Sequence, residues 1–233
     1  MPERPALLLV HGAWHGSWCW EPLRTLLAND GWRVDTVDLP SVGSPAHGMH
    51  DDAEVISAAI QKIGGPAAVV AHSYGGIPAT QAAAGQPNVR HLVYVAAFLP
   101  DVGDSLLGMV GGTPPPWWRQ DGEVVHALTP EAIFFNDVDE PPVDKIQAQS
   151  YRAFTDRLTQ AAWHDTSSTY VIANNDNAIP PFVQEAMARR ATATERLDAG
   201  HSPFLSCPRD LAAIIATASS AASPLPRSSP ASG

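Results

Sequence analysis

Short runs of apolar residues alternate along the chain with stretches in which apolar residues recur at helical spacing. A continuous apolar run that ends at glycine, proline or histidine is typical of a strand buried in a parallel sheet. Such runs predict strands at residues 6–10, 33–39, 67–71, 91–98, 168–173 and 193–197. We expect the last of these strands to lie at an edge of the sheet.

Helices are predicted between these runs, where the apolar residues fall on one face of a helix. They cover residues 18–29, 50–63, 77–84, 180–190 and 208–218. In the second helix Asp51, Asp52 and Glu54 fall near the start, where negative charge matches the helix dipole. The alternation predicts an α/β fold with a mostly parallel sheet of about six strands and helices on both faces.

The alternation breaks between residues 101 and 165, which contain proline-rich and aromatic pieces such as Pro114-Pro115-Pro116-Trp117-Trp118. This segment is too long for an ordinary loop. We expect it to fold as a helical cap over one end of the sheet, with helical spacing visible at residues 143–158. The predicted core is then residues 1–100 and 166–218. Residues 219–233 are rich in serine, proline and alanine and are predicted to form a disordered tail.

The composition of the chain indicates which binding partners and which cellular location to expect. The chain has 233 residues, a net charge of −10 and only 14 Lys and Arg residues, without a basic cluster, so we expect no nucleic-acid or membrane partner. Cys19 and Cys207 stand far apart and form no metal-ligand pattern, so we expect reduced thiols and no metal. The first apolar run is too short for a signal peptide, which favours a cytoplasmic location.

A candidate nucleophile lies in the segment His72-Ser73-Tyr74-Gly75-Gly76, between a predicted strand and a helix of small residues. A serine followed by glycines at such a junction predicts a sharp turn that exposes its hydroxyl, as in the pattern G-x-S-x-G. Ala71 stands in place of the first glycine and is still small enough for close packing. The alternative is an ordinary junction in which Ser73 caps the helix.

A base and an acid are predicted at other strand ends, where parallel sheets bind their ligands. A serine hydroxyl needs a neighbouring base, and His201, in a Gly-His-Ser-Pro loop, is the best candidate. Asp176 would orient that histidine, and the chain order Ser, Asp, His is the order found with elbow serines. Asp101 is the rival acid, whereas Asp198 lies too close to His201 along the chain.

The remaining histidines occupy less suitable positions. We expect His72 to point away from the cleft and His11 to brace its own loop. We expect the others on the surface or in the cap, with His164 left open as a pocket residue: His15, His47, His50, His91, His126 and His164.

Two backbone N–H groups are predicted to stabilise a developing oxyanion. One is that of Tyr74, after the nucleophile, and the other is that of Ala13, in the loop after the first strand. Glycine before Ala13 lets the backbone approach a substrate closely. An apolar pocket under the cap is also predicted, although packing within the cap is an equally good explanation for each aromatic residue. The pocket candidates are Gly12, Trp14, Trp117, Trp118, Phe134 and Trp163.

Several segments together resemble the α/β-hydrolase superfamily, and more narrowly its small-cap branch of plant-type methyl esterases, hydroxynitrile lyases and bacterial esterase relatives. The likeness spans residues 5 to 218 and is weakest in the cap. It is carried by His11-Gly12-Ala13-Trp14-His15-Gly16-Ser17-Trp18-Cys19-Trp20, Asp38-Leu39-Pro40, the Ser73 segment, Phe98-Leu99-Pro100 and Asp176-Asn177-Ala178-Ile179-Pro180. The resemblance implies an α/β-hydrolase fold and a serine carboxylesterase that forms an acyl-enzyme on Ser73 and needs no cofactor.

The resemblance also leaves alternatives. The plant-type lyases carry a lysine after the histidine and a threonine in the first loop, and here those places hold Ser202 and Gly12. This departure counts against cyanohydrin cleavage. Relatives open or close lactones or tailor secondary metabolites on the same triad, and others lost catalysis and bind small molecules. We expect a neutral, fairly apolar small-molecule ester or lactone as substrate, and a homodimer is left open.

Overall fold

A computed structural model describes residues 4–220, and in it strands and helices alternate as the sequence predicts. The strands are β1 (Ala6–Val10), β2 (Val34–Val37), β3 (Ala67–His72), β4 (Val89–Val95), β5 (Trp118–Asp121), β6 (Val124–Ala127), β7 (Gln149–Ser150), β8 (Ser168–Ala173) and β9 (Ala193–Leu197). The helices are α1 (Glu21–Asn29), α2 (Met49–Ile63), α3 (Gly76–Ala83), α4 (Leu106–Met109), α5 (Pro130–Ile133), α6 (Arg152–Thr155), α7 (Pro181–Ala188), α8 (Pro203–Ser206) and α9 (Pro208–Ser220).

All six predicted strands join one parallel sheet in the order β2-β1-β3-β4-β8-β9. This confirms the α/β-hydrolase fold class and places β9 at an edge, as expected. The chain runs outward from β1 to β2 and then crosses to the other side of β1 to form β3. The connections after β1 and after β3 therefore leave the sheet in opposite directions. A crevice forms between their carboxyl ends, where ligands bind in sheets of this type.

Each strand presents alternate residues to the two faces of the sheet. On one face Leu8 and Val10 of β1 pack in a cluster with residues of α2, including Ile56 and Ile60. On the opposite face Leu7 and Leu9 pack with α1 and α9; the members of this second cluster include Leu23, Leu27, Leu211 and Ile215. Since β1 is buried on both sides, its sequence reads as a continuous apolar run.

The segment between β4 and β8 forms the cap, which is only partly helical. It contains α4, α5 and α6 and a small antiparallel sheet in the order β5-β6-β7. The helix expected at residues 143–158 is wrong, because this stretch divides into a 3-10 turn, β7 and α6. Its backbone instead bonds to core loops: Gln147 N–H donates to Trp14 O and Ser150 N–H donates to Ser41 O. These long-range hydrogen bonds override the local helical spacing.

The last helix extends to Ser220, beyond the predicted end at residue 218. The rest of the predicted tail, residues 221–233, lies outside the described residues. Across residues 4–220 there is no helix with the length and apolarity that crossing a bilayer requires.

Two histidines that we expected on the surface or in the cap are buried, so that expectation is wrong for them. His15 is 1% exposed and His91 is 6% exposed. His91 lies on β4, and its two ring nitrogens are 2.8 Å from Ser167 Oγ and 2.9 Å from Thr169 Oγ1. The hydroxyls of Ser167 and Thr169 offset the cost of burying this imidazole, because they give both ring nitrogens a hydrogen-bond partner. These partners are distant in sequence, so the burial of His91 could not be predicted from the residues around it. Burial lowers the pKa of His91 to about 4.

This burial predicts acid sensitivity. The native pKa of His91 is about 4 and its ordinary value is 6.5, so the unfolded chain binds the proton more readily. The stabilising contribution is therefore complete above the ordinary pKa and is lost as pH falls towards the native one. Near pH 5, we expect this one histidine to have lost about 2 kcal/mol of stability relative to neutral pH.

His91→Gln should therefore reduce the fall in the free energy of unfolding between neutral pH and about pH 5, measured by urea titration. The control is His126→Gln, on the partly buried cap strand β6, which should leave that fall unchanged. An equal fall in His91→Gln and in the wild type would show that other groups cause the acid sensitivity.

Candidate active site

Ser73 lies at the turn between β3 and α3, with a backbone φ of +52°. A residue other than glycine rarely adopts this left-handed conformation, which costs of the order of 1–3 kcal/mol. The turn packs too tightly for larger residues at the glycines that follow. A Cβ at Gly75 would collide with the carbonyl oxygen of His11, and one at Gly76 with that of Phe98. The hydroxyl of Ser73 makes no helix-capping hydrogen bond.

The structure brings Ser73, His201 and Asp176 into one hydrogen-bonded chain. The Oγ of Ser73 is 3.0 Å from His201 Nε2, and His201 Nδ1 is 2.8 Å from Asp176 Oδ2. An ionised carboxylate only accepts hydrogen bonds, so Nδ1–H of His201 donates to Asp176. Nε2 is then the acceptor for the serine proton. All three side chains are buried, and Ser73 is 9% exposed.

Asp176 is held by donors on both of its oxygens. The backbone N–H groups of Ala178 and Ile179 donate to Oδ1 at 2.7 and 2.9 Å. Gln184 Nε2 donates to Oδ2 at 2.9 Å, beside the bond from His201. Gln184 lies on α7 and is fully buried. Sequence reasoning missed it, although a glutamine among the apolar residues of a short helix was a signal.

The loop that carries His201 is fixed from two sides. His72 Nε2–H donates to the carbonyl oxygen of His201 at 2.8 Å, and Gly200 N–H donates to Asp137 Oδ2 at 2.6 Å. Burial lowers the pKa of His72 well below its ordinary value, so this ring is neutral. The position of His72 agrees with the expectation that it would not enter the cleft. Its hydrogen bond supports the loop from behind.

The rival candidates lie elsewhere. Asp101 Oδ1 is 3.0 Å from Nε2 of the exposed His164. The carboxylate of Asp198 accepts a hydrogen bond from Asn174 at 2.6 Å. His11 braces loops as expected, because its Nε2 accepts from Leu39 N–H and its Nδ1 lies 2.8 Å from Gly12 O.

The two predicted oxyanion donors flank the serine. A Cβ at Gly12 would lie 2.8 Å from the Cβ of Ser73, so glycine allows the first-strand loop to pass directly beside the nucleophile. Ala13 and Tyr74 both line the cavity that Ser73 reaches. Within residues 4–220, the backbone N–H of Ala13 makes no hydrogen bond to another described residue. That group is free to donate to a bound molecule.

The cavity beside Ser73 is narrow and apolar. Its enclosed volume is about 30 Å³, and no charged side chain lines it. Trp14, Trp117, Trp118 and Phe134 line it as predicted, whereas Gly12 and Trp163 do not. Lining residues that sequence reasoning missed come from the cap and from the loops after β4 and β8: Phe98, Leu106, Val110, Pro115, Ala178 and Ile179.

Trp163 belongs to the base of the cap and not to the cavity. Its indole N–H donates to Pro100 O at 2.8 Å. The guanidinium of Arg190 lies 5.8 Å from its ring centroid. These contacts hold Trp163 outside the cleft, where it packs as part of the protein framework.

Comparison with known proteins supports the reading of the fold. Alpha/beta hydrolase nvfD of Aspergillus novofumigatus is 28% identical over 231 residues, which are 88% of this chain and 92% of that protein. Methylesterase 9 of Arabidopsis thaliana is 26% identical over 244 residues, covering 88% and 94% of the two chains. Similarity to a plant methylesterase confirms the resemblance to the plant-type esterase branch.

Among solved structures, a pyrethroid hydrolase of Sphingobium faniae superposes with a TM-score of 0.82 at 24% identity. The superposition covers 93% of this chain and 98% of that one, and at this identity it establishes the fold alone. The sequence profile described as the alpha/beta hydrolase family matches residues 7–214. That match runs from the first strand into the last helix, and the chain therefore belongs to the alpha/beta hydrolase family.

Proposed function

We propose that this protein is a serine carboxylesterase that cleaves a small to medium, fairly apolar ester through an acyl-enzyme on Ser73. The observation that carries the proposal is the hydrogen-bonded chain from Ser73 through His201 to Asp176, which opens on an apolar cavity. Methylesterase 9 is similar to this chain over most of the length of both proteins. Its name denotes an enzyme that acts on esters, which supports ester cleavage as the proposed reaction.

In the first half of the reaction Ser73 Oγ attacks the ester carbonyl while His201 Nε2 takes the hydroxyl proton. Asp176 stabilises the imidazolium that forms and holds the ring in the required tautomer. The N–H groups of Ala13 and Tyr74 donate to the oxyanion, and each such donor contributes roughly 3 kcal/mol in the transition state. The carbon–oxygen bond to the alcohol then breaks, and the alcohol leaves with the proton from His201.

In the second half a water molecule attacks the acyl carbonyl. His201 accepts a proton from the water, and the same two N–H groups bind the second oxyanion. The bond to Ser73 Oγ then breaks, and the proton returns from His201 to the serine. The acid is released, so one ester and one water give one acid and one alcohol.

The cavity chemistry supports a neutral acyl group. Since no Lys, Arg, Asp or Glu lines the cavity, a charged acyl group would lose its hydration without gaining a partner. The cavity volume is only about 30 Å³. We expect an acetyl-sized group to fit and a longer chain to require movement of the cap tryptophans.

The nucleophile assignment predicts the loss of turnover in Ser73→Ala. We expect its kcat for p-nitrophenyl acetate to fall by about four orders of magnitude or more. A fluorophosphonate probe should label the wild type and not the variant. The control is Ser168→Ala, because Ser168 is also buried and its hydroxyl has no partner among the described residues. Turnover only of lactones, or labelling that persists in Ser73→Ala, would contradict the proposal.

The cavity predicts how acyl-chain preference changes. Trp117 lines the cavity and is only partly buried, so Trp117→Ala should widen the space with little risk to folding. We expect the kcat/KM ratio of p-nitrophenyl octanoate to p-nitrophenyl acetate to rise by about 10-fold, since several methylenes gain apolar contact.

The matched control for that experiment is Trp163→Ala. It removes a tryptophan of the cap region that does not line the cavity, so it should lower stability without changing the ratio. An equal rise in both variants would indicate a general loosening of the cap instead of a wider acyl site.

A further inference from the structure

A chain of buried hydrogen bonds ends on Asp52, a carboxylate near the start of α2. Ser41 N–H donates to Oδ1 at 3.0 Å, and Ser41 Oγ–H donates to Oδ2 at 2.5 Å. The phenol of Tyr74 donates to the same Oδ2 at 2.6 Å. Asp52 and Ser41 are 0% exposed. Asp52 therefore faces the turn that carries Ser73 and Tyr74.

The chain continues from Ser41 to the loop after β1. Gln149 Nε2 donates to Ser41 Oγ at 2.6 Å, and Gln149 Oε1 accepts from Trp14 N–H at 3.1 Å. The direction of every bond is forced. Because Trp14 N–H can only donate, the carbonyl of Gln149 must face it and the amide NH₂ must face Ser41. The hydroxyl of Ser41 then donates its hydrogen bond to the carboxylate of Asp52, which can only accept.

The dipole of α2 favours negative charge near the start of the helix, where this carboxylate lies, but it does not outweigh the cost of burial. Among residues 4–220, Asp52 forms no ion pair. Burial raises the pKa of Asp52 to about 6, against the opposing effect of the hydrogen bonds from Ser41 and Tyr74. A buried carboxylate without a cation is a poor way to stabilise a fold, since a packed apolar residue would serve better. Its side chain instead serves a task that needs a pure acceptor, since two hydroxyls and one backbone N–H donate to it.

The two ends of the network identify that task. One end is Tyr74, whose backbone N–H is a proposed oxyanion donor. The other end is Trp14, the neighbour of the second proposed donor, Ala13. Trp14 has a φ of +62°, a conformation that its surroundings must enforce. Asp52 is therefore the common terminus of hydrogen bonds that reach both donor segments.

We propose that Asp52 is a positioning residue for the oxyanion site, fixing the Tyr74 turn directly and the Ala13–Trp14 loop through Ser41 and Gln149. The inference rests on the proposed function, because it assigns Asp52 a role in binding the oxyanion of ester cleavage. Asp52 does not touch the substrate. Its contribution is confined to the transition state, since the ground-state carbonyl depends much less on the exact aim of the donors.

The first test removes one hydroxyl from the network. Tyr74→Phe should lower kcat for p-nitrophenyl acetate by about 10-fold, with KM changed by less than about twofold. The matched control is Tyr94→Phe, which deletes a phenol equally buried and bonded to Thr80 Oγ1 at 2.8 Å, outside the network that ends on Asp52. We expect similar losses of stability in both variants and a loss of kcat only in Tyr74→Phe.

A pair of inhibitors separates positioning from general damage. A phenyl-substituted trifluoromethyl ketone forms an oxyanion when Ser73 adds to it, whereas the matching methyl ketone binds without that addition. Tyr74→Phe and Asp52→Asn should both weaken the first by about 10-fold and the second by less than about twofold. Asp52→Asn keeps the shape and removes the buried charge, but its NH₂ cannot accept the hydroxyl protons. Equal weakening of both ketones would overturn the proposal.

A measurement that needs no catalysis keeps this inference distinct from the proposed function. Hydrogen–deuterium exchange should be faster at residues 11–16 and 72–75 in Tyr74→Phe than in the wild type, and unchanged there in Tyr94→Phe, whose partner Thr80 bonds to Gly76 O. Unchanged exchange in both segments would overturn the anchoring by Asp52, whether or not the wild type cleaves esters. A wild type that cleaves no ester and is not labelled by fluorophosphonate would refute the function and with it the oxyanion role.

Discussion

The contact between the Ser73 turn and the loop after β1 is the constraint on which the rest of the site depends. The two segments lie so close that Gly12 has no room for a Cβ against Ser73, and Gly75 none against the carbonyl of His11. They are neighbours because β1 and β3 pair in register from Ala6–Ala67 to Val10–Ala71. The strained backbone of Ser73, with its φ of +52°, is held by this packing.

Two buried carboxylates support this arrangement in different ways. Asp176 accepts from two backbone N–H groups and Gln184, which hold the carboxylate in place, and from the imidazole of His201, whose other nitrogen faces Ser73. Asp52 accepts from two hydroxyls and one backbone N–H and lies behind the turn. In our proposals, the first organises proton transfer and the second organises the site where negative charge develops.

The sheet and the Ser73–His201–Asp176 cluster were predictable because both follow from local patterns. Apolar runs mark buried strands, and parallel strands bring their carboxyl ends to one edge, so residues after different strands meet without any knowledge of distances. The cap was less predictable, since residues 147–150 bond to the loops of Trp14 and Ser41 across the chain. Helical spacing does mark Asp52, which lies four residues before Ile56 on the buried face of α2. No local pattern distinguishes a buried Gln149 from a solvated one, because its burial depends on partners distant in sequence.

Trp14 joins the cap to the loop after β1, and in our proposal this links substrate choice to rate. Trp14 donates its indole N–H to Val125 O and its backbone N–H to Gln149, and its carbonyl accepts from Gln147 N–H. The same indole lies against Trp117 and Phe134 with ring centroids 5.4 and 5.5 Å away, so it forms part of the cavity wall. We therefore expect a shift of the cap that admits a larger acyl group to move Trp14 as well, and with it the N–H of Ala13. A variant with a wider pocket would have to preserve the bond from Trp14 to Gln149, because Trp14 both lines the pocket and supports the proposed oxyanion donor Ala13.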